Sequence, residues 1–236
     1  MLDAPGHVRG LLTEEAGYHF LFAIADEDAA KMAGIVGVQH DHDDYMELSA
    51  WQDYRRRIPW IFGLAVAGLA AGLVVHAYES ALDVLVILAL YMPMIADTGG
   101  NVGTQSASLV TRALSFGGIT IGDAGRVMWR ELRVALLVAA TLFVFTYLKV
   151  FFLSNSAEIP LGLSLNDIGI AIGVALAVQV VSATLIGAVL PVVSVALRQD
   201  PAVVSGPALT TIVDLTGLLL YFSITTKLLG IELAVD

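Results

Sequence analysis

YMPMIADTGGNVGTQSASLVTRAL, residues 91–114, sets an acid, two amides, three glycines and a row of hydroxyls inside a segment whose flanks are strongly apolar. On a helix Asp97, Asn101 and Gln105 stand at i, i+4 and i+8 and share one face, which Ser108 continues. Gly99, Gly100 and Gly103 remove side chains and weaken the helix at the same place. Within hydrocarbon an irregular backbone is tolerated only where protein buries it or where it lines a water-filled cavity. The stretch therefore reads as the lining of a polar pathway, with Asp97, Thr104, Gln105 and Ser108 along it. Glycines and hydroxyls also let membrane helices pack closely, and Gly68-x-x-x-Gly72 reads as that alone. Packing glycines, however, do not call for an acid and an amide on one face.

The totals place this stretch in a membrane protein. Of 236 residues, 57% are hydrophobic and 14% charged, and the mean hydropathy of +0.80 is far above that of a soluble domain. With no cysteine, disulfides, zinc-thiolate sites and cysteine nucleophiles are excluded. The start, MLDAPGHVRGLLTEEAG, has no basic region followed by an apolar one and does not read as a cleaved signal peptide. The net charge of −10, concentrated in the first fifty-odd residues, argues against nucleic acid as a partner.

Five stretches are long enough to cross a hydrocarbon core of ~30 Å: Ile58–Tyr78, Val84–Thr111, Val134–Phe152, Ile168–Leu197 and Pro201–Thr226. The second and fourth exceed the need, which suggests tilt, a helix broken partway, or an extension beyond the bilayer. Arg55, Arg56 and Arg57 precede the first span. Arg112, Arg126, Arg130 and Arg133 separate the second from the third, and Arg198 the fourth from the fifth. With Arg9 and Lys31, ten basic residues fall on the amino-terminal side, and only Lys149 and Lys227 on the other. The expected fold is an all-α, multi-pass protein of the cell (inner) membrane, with a cytoplasmic amino terminus and an external carboxyl terminus. Glu79, Asp83, Glu158 and Asp167 give its external loops a mildly acidic mouth.

Residues 1–57 read as a separate acidic cytoplasmic segment of one or two amphipathic helices, and 58–236 as the membrane domain. His40 and His42 stand among Asp41, Asp43 and Asp44, a set with metal-binding chemistry, but a run this polar reads as a solvated loop.

In the last span, DPAVVSGPALTTIVDLTGLLLYFSITT, Asp214 lies about a dozen residues from either polar end. A carboxylate near mid-bilayer costs ~2.5–3.5 kcal/mol on insertion scales and is a functional-site candidate by default. Thr210 and Gly217 share its face. Gly206 loosens the preceding turn, where Pro207, lacking an N–H, frees a carbonyl. Carboxylate, carbonyl, amide and hydroxyl oxygens around a retained hydration shell suit Mg²⁺, although the same groups suit Ca²⁺, Mn²⁺ or Co²⁺.

PMIADTGGNVGTQSASLVTRAL, its basic following loop, and DPAVVSGPALTTIVDLTGLLLYFS together resemble the second and fifth transmembrane helices of the MgtE-type magnesium channels and transporters. The resemblance runs from about Ala50 to the end. It implies a homodimer in the lipid bilayer with a Mg²⁺-selective pore on the two-fold axis, lined by the second and fifth helices. It also implies a hydrated Mg²⁺, both transported and bound, held by Asp214 with Thr210 one turn earlier. The Gly-Gly-Asn-x-Gly-x-Gln patch matches Gly99, Gly100, Asn101, Gly103 and Gln105. Relatives usually carry a long cytoplasmic region with paired CBS domains. Only some fifty residues precede the first span here, so their feedback gating is not carried over. Asp97 stands where many relatives have a small or apolar residue.

Two other readings use the same residues. A proton- or sodium-coupled exporter or exchanger of divalent cations keeps the site and reverses the net direction. An intramembrane aspartyl protease needs a carboxylate dyad sharing a proton, and the Gly-x-Gly-Asp context of such enzymes is absent around Asp214.

Overall fold

The computed structural model describes residues 13–35, 49–154, 159, 162–204 and 206–231. The His40–Asp44 run, Arg9 and Glu158 lie outside the described residues. The chain divides into two compact units, Met1–Ile61 and Phe62–Asp236. In the first, α1 (Glu14–Met32) begins at Thr13, whose Oγ1 accepts from the Ala16 N–H at 3.2 Å. Glu14 and Glu15 complement its positive end and Lys31 its negative end.

The described residues form helices and loops only: α2 (Ala50–Ala77), α3 (Glu79–Val84), α4 (Ile87–Ser115), α5 (Ala124–Leu153), α6 (Leu165–Ala196), α7 (Pro201–Val204) and α8 (Pro207–Leu229). α2 runs unbroken through Arg57, which pairs with Asp53 one turn back at 2.8 Å. Four stretches are long and apolar enough to cross a membrane: Ala50–Ala77, Ile121–Leu153, Leu165–Ala196 and Pro201–Leu229. α4 has the length, at 29 residues, but is not among them. Asp97, Asn101 and Gln105 lower its hydropathy.

α6 is the centre of the bundle and packs against α5, α4 and α8, while α4 also packs against α8. Its place follows from composition, since a helix apolar on all sides with no charge from Ile168 to Leu197 is stable only when surrounded. Small residues set its contact with α5. Gly169 faces Tyr147 and Val150, and Gly173 faces Phe143, so two stacked rings, 6.4 Å apart, sit over a groove without side chains.

The helices alternate in direction, as polar contacts at one end record. The Tyr78 and Ser223 hydroxyls meet at 2.9 Å, joining the ends of α2 and α8, and those of Tyr91 and Ser154 meet at 2.9 Å, joining the start of α4 to the end of α5. Tyr221 Oη donates to the Leu88 carbonyl at 2.8 Å. Lys149 Nζ stands 4.1 Å from the centre of the Tyr91 ring at this end. Arg112, Arg126, Arg130, Arg133 and Arg198 are at the opposite end, where α4 and α6 finish and α5 begins.

Two breaks shape that opposite end. Gly117, at φ 67°, turns the chain out of α4, and the Gly118 N–H donates to the Ala113 carbonyl at 2.9 Å. After α6, Arg198 takes the left-handed conformation at φ 59°, and the Gln199 N–H donates to the Ser194 carbonyl at 2.8 Å. The last apolar stretch is not one helix but two, α7 and α8, parted before Pro207.

Candidate functional site

The polar stretch 97–105 is helical throughout, so the glycines weaken the helix there without breaking it. Its glycines act by removing bulk. A Cβ on Gly99 would run into the Gln179 amide, and one on Gly103 would stand 3.2 Å from the Ala183 carbonyl and 3.3 Å from Val213 Cγ2. From the other side, a Cβ on Gly187 would collide with the Gly103 backbone. α4 and α6 thus cross with backbones in contact, and that closeness aligns the opposite face of α4 beside α8.

On that opposite face an open groove of about 400 Å³ is lined by Asp97, Gly100, Asn101, Thr104 and Gln105 of α4 and by Thr210 and Asp214 of α8. Asp97, Asn101 and Gln105 are exposed, and Thr104, Thr210 and Asp214 are half-buried. A Cβ on Gly100 would stand 3.6 Å from Thr210 Cγ2 and 3.9 Å from Asp214 Oδ1, so this glycine brings the carboxylate close to the α4 backbone. Thr210 Oγ1 donates to the Pro207 carbonyl at 2.9 Å, as does Thr211 Oγ1 at 3.0 Å. With its proton so engaged, Thr210 presents lone pairs to the groove.

The polar groups of the groove are carboxylates, amides and hydroxyls, each of which offers an oxygen. Among the described residues no three His, Cys, Asp or Glu side chains gather as a metal cluster. Such a mixed set suits a hard cation that keeps part of its water. Among the described residues no hydrogen bond joins Asp97 to Asp214, as a proton-sharing protease dyad would have. Both carboxylates nevertheless line the same groove.

Of the residues singled out from sequence, Gly103, Ser108, Gly206, Pro207 and Gly217 are not among the groove-lining residues. Gly103 is in the α4–α6 crossing, and Gly217 lies against the Gln179 side chain. Pro207 opens α8 and acts through its carbonyl, with Gly206 just before it.

Gln179 is the residue that reading by motif passes over. It is fully buried, fits the space left by Gly99 and Gly217, and donates from Nε2 to the Val213 carbonyl at 3.0 Å, one residue before Asp214. It ties α4, α6 and α8 together behind the groove. The signal was present in the sequence, as the one amide between Ile168 and Leu197. Glu131 was passed over too. It is 6% exposed, and its Oε2 accepts from Ser106 Oγ at 2.9 Å, joining α5 to α4.

The sequence model of the MgtE family, described as a divalent cation transporter, matches residues 92–224. The magnesium transporter MgtE of Thermus thermophilus is 32% identical over 229 residues, covering 97% of this chain and 48% of that protein. The Bacillus subtilis protein of the same name is 30% identical over 217 residues, 92% of this chain and 45% of its own length. That of Enterococcus faecalis is 30% identical over 224 residues, 95% of this chain and 46% of its own. The chain thus spans about half the length of the curated relatives it matches.

Proposed function

The chain belongs to the MgtE family of divalent cation transporters, and from that premise we propose that it carries Mg²⁺ across the cell membrane. The pathway is formed where the α4–α8 grooves of two protomers face each other on a two-fold axis. The observation that carries this reading is the groove itself: two carboxylates, two amides and two hydroxyls gathered on the open outer side of the bundle. Left against lipid it would expose carboxylates and amides to hydrocarbon, which is costly, and a second copy closes it into an aqueous channel. α4 then serves as the fifth span, its hydropathy lowered because one face meets water rather than lipid.

In this arrangement a hydrated Mg²⁺ rests between the two copies of Asp214, with its water donating to carboxylate, Thr210 and Asn101 oxygens. Magnesium gives up water reluctantly, so contact through retained water keeps binding weak enough for release. The test is Mg²⁺ entry into proteoliposomes of purified protein. Uptake driven by membrane potential alone supports a channel, and uptake that requires an imposed proton or sodium gradient indicates coupled exchange.

Gly100 offers a finer check. A methyl group there meets its neighbours at ordinary van der Waals distance. Gly100→Ala should therefore fold and dimerise as wild type does while losing flux several-fold, because the methyl stands 3.9 Å from Asp214 Oδ1 in the space an ion's water needs. Unchanged flux in that variant would remove Gly100 from the pathway.

The same reading fixes topology. The five Arg residues at one end of the bundle belong at the cytoplasmic face, and five passes leave the termini on opposite sides. A label-accessibility assay should find a carboxyl-terminal tag reachable from outside and an amino-terminal one protected. Both tags reachable from one side would remove a span.

A further inference from the structure

At the arginine-rich end of the bundle a second pocket, of about 430 Å³, opens between the end of α4 and the first turns of α5. Leu109, Val110 and Ala113 form its apolar wall, and Arg126, Arg130 and Arg133 line it at helical spacing, i, i+4 and i+7. Its two acids are both engaged. Asp123 Oδ2 accepts from the Thr120 N–H and hydroxyl while Oδ1 pairs with Arg126 at 3.3 Å, and buried Glu131 accepts from Ser106. Arg130 makes no ion pair among the described residues. Arg133 lies over the Trp129 ring, 6.0 Å from its centre, an arrangement that orients a guanidinium without neutralising it.

We propose that this pocket binds the phosphate of an anionic phospholipid from the leaflet at that end, with Arg130 and Arg133 on the phosphate and an acyl chain along Leu109. The inference uses the proposed topology only to name that leaflet as the cytoplasmic one. Guanidinium groups match phosphate oxygens two at a time. A basic pocket between membrane helices on the cytoplasmic side is a recurrent place for anionic headgroups. Trp129, 60% exposed beside the arginines, marks the depth of the membrane interface. A lipid rather than a free phosphate is favoured by the wall. Leu109, 58% exposed, lines the pocket, and Val134 and Leu137, exposed at i+4 and i+7 from Arg130 on α5, continue the arginine face as apolar surface that a soluble phosphate would not use.

The test is native mass spectrometry of the full-length protein released from nanodiscs of defined composition. Wild type should retain phosphatidylglycerol through detergent washing and not retain phosphatidylcholine. The double variant Arg130→Gln, Arg133→Gln should retain at least tenfold less, since each surface Arg contributes roughly fivefold to anionic-lipid affinity. A second double variant, Arg130→Lys with Arg133→Lys, keeps the charge without the planar fork and should fall between them. Equal retention by all three proteins, or equal retention of both lipids, would overturn the proposal. Inorganic phosphate or glycerol phosphate displacing the lipid at micromolar concentration would assign the pocket to a soluble ligand instead. Lipid retention is read without ion flux, so failure of the pore assignment and failure of the lipid site leave different records.

Discussion

Asp214→Asn should lower Mg²⁺ flux in proteoliposomes at least a hundredfold while leaving the protein folded and dimeric. The substitution is nearly isosteric at a half-buried position, so no cavity and no overlap are created. What it removes is one negative charge facing a doubly charged ion. At ~4 Å and an effective dielectric of ~20, each pair of unit charges interacts by roughly 4 kcal/mol. A hundredfold change in occupancy needs only ~2.7 kcal/mol. The amide also turns donors toward a hydrated cation whose water must itself donate. Asp97→Asn should cost much less, roughly tenfold or under, because the groove then keeps the carboxylate that Thr210 and Gly100 surround. Equal losses at the two positions would mean that they act as one site.

Gly187→Ala should be the most damaging small substitution for folding. Its methyl would occupy the position of the Gly103 backbone, and a backbone cannot move aside by changing rotamer. α4 must shift away from α6, which opens the packing around Val213 and Gln179 and displaces the groove. Overpacking in a close-packed core typically costs ~1–3 kcal/mol, and more where the obstacle is rigid. The expected result is a melting temperature lower by about 10 °C or outright loss of monodisperse protein in size-exclusion chromatography. Gly68→Ala and Gly72→Ala are the controls, because among the described residues nothing lies within 4 Å of a Cβ at either position. They should leave the melting temperature of the solubilised protein within about 2 °C of wild type.

These glycines show what was legible in the sequence and what was not. The apolar lengths announced the helices, and the helical spacing of Asp97, Asn101 and Gln105 announced a polar face, because both depend on local pattern alone. Which glycine does what depends on a partner helix, and no local pattern encodes the partner. Gly68-x-x-x-Gly72 reads as a packing motif, yet among the described residues nothing lies within 4 Å of a Cβ at either position, whereas Gly99 and Gly103, read as pathway glycines, are buried in contacts between helices. Gly100, their neighbour, points the other way because successive helical residues are rotated by about 100°. The helix holds at this glycine patch for a related reason: tertiary contacts along α4 outweigh a glycine's helix penalty of ~1 kcal/mol. The break in the last apolar stretch was readable, since Gly206 and Pro207 mark it.

Arginine placement was legible as a count and not as a site. The basic bias gives only an expected order of the termini, and it is the fold that brings Arg126, Arg130 and Arg133 beside Leu109 and engages the nearby acids. Gln179 is the converse case: conspicuous as a lone amide in an apolar span, yet without a role until Val213, Gly99 and Gly217 are seen around it.

The central claim is that the α4–α8 grooves of two protomers form one ion site at Asp214. The most direct measurement is a structure of the membrane-embedded protein with Mg²⁺ replaced by Mn²⁺, located by its anomalous scattering. A metal–oxygen distance of ~2.1–2.2 Å followed by a hydrogen bond of ~2.7 Å puts a water-mediated ion roughly 4 Å from the carboxylate. The account predicts one anomalous peak on the two-fold axis, about that far from Asp214 Oδ of each protomer, which disappears in Asp214→Asn. Protomers whose α4–α8 grooves face away from each other, or a peak that persists without the carboxylate, would contradict it.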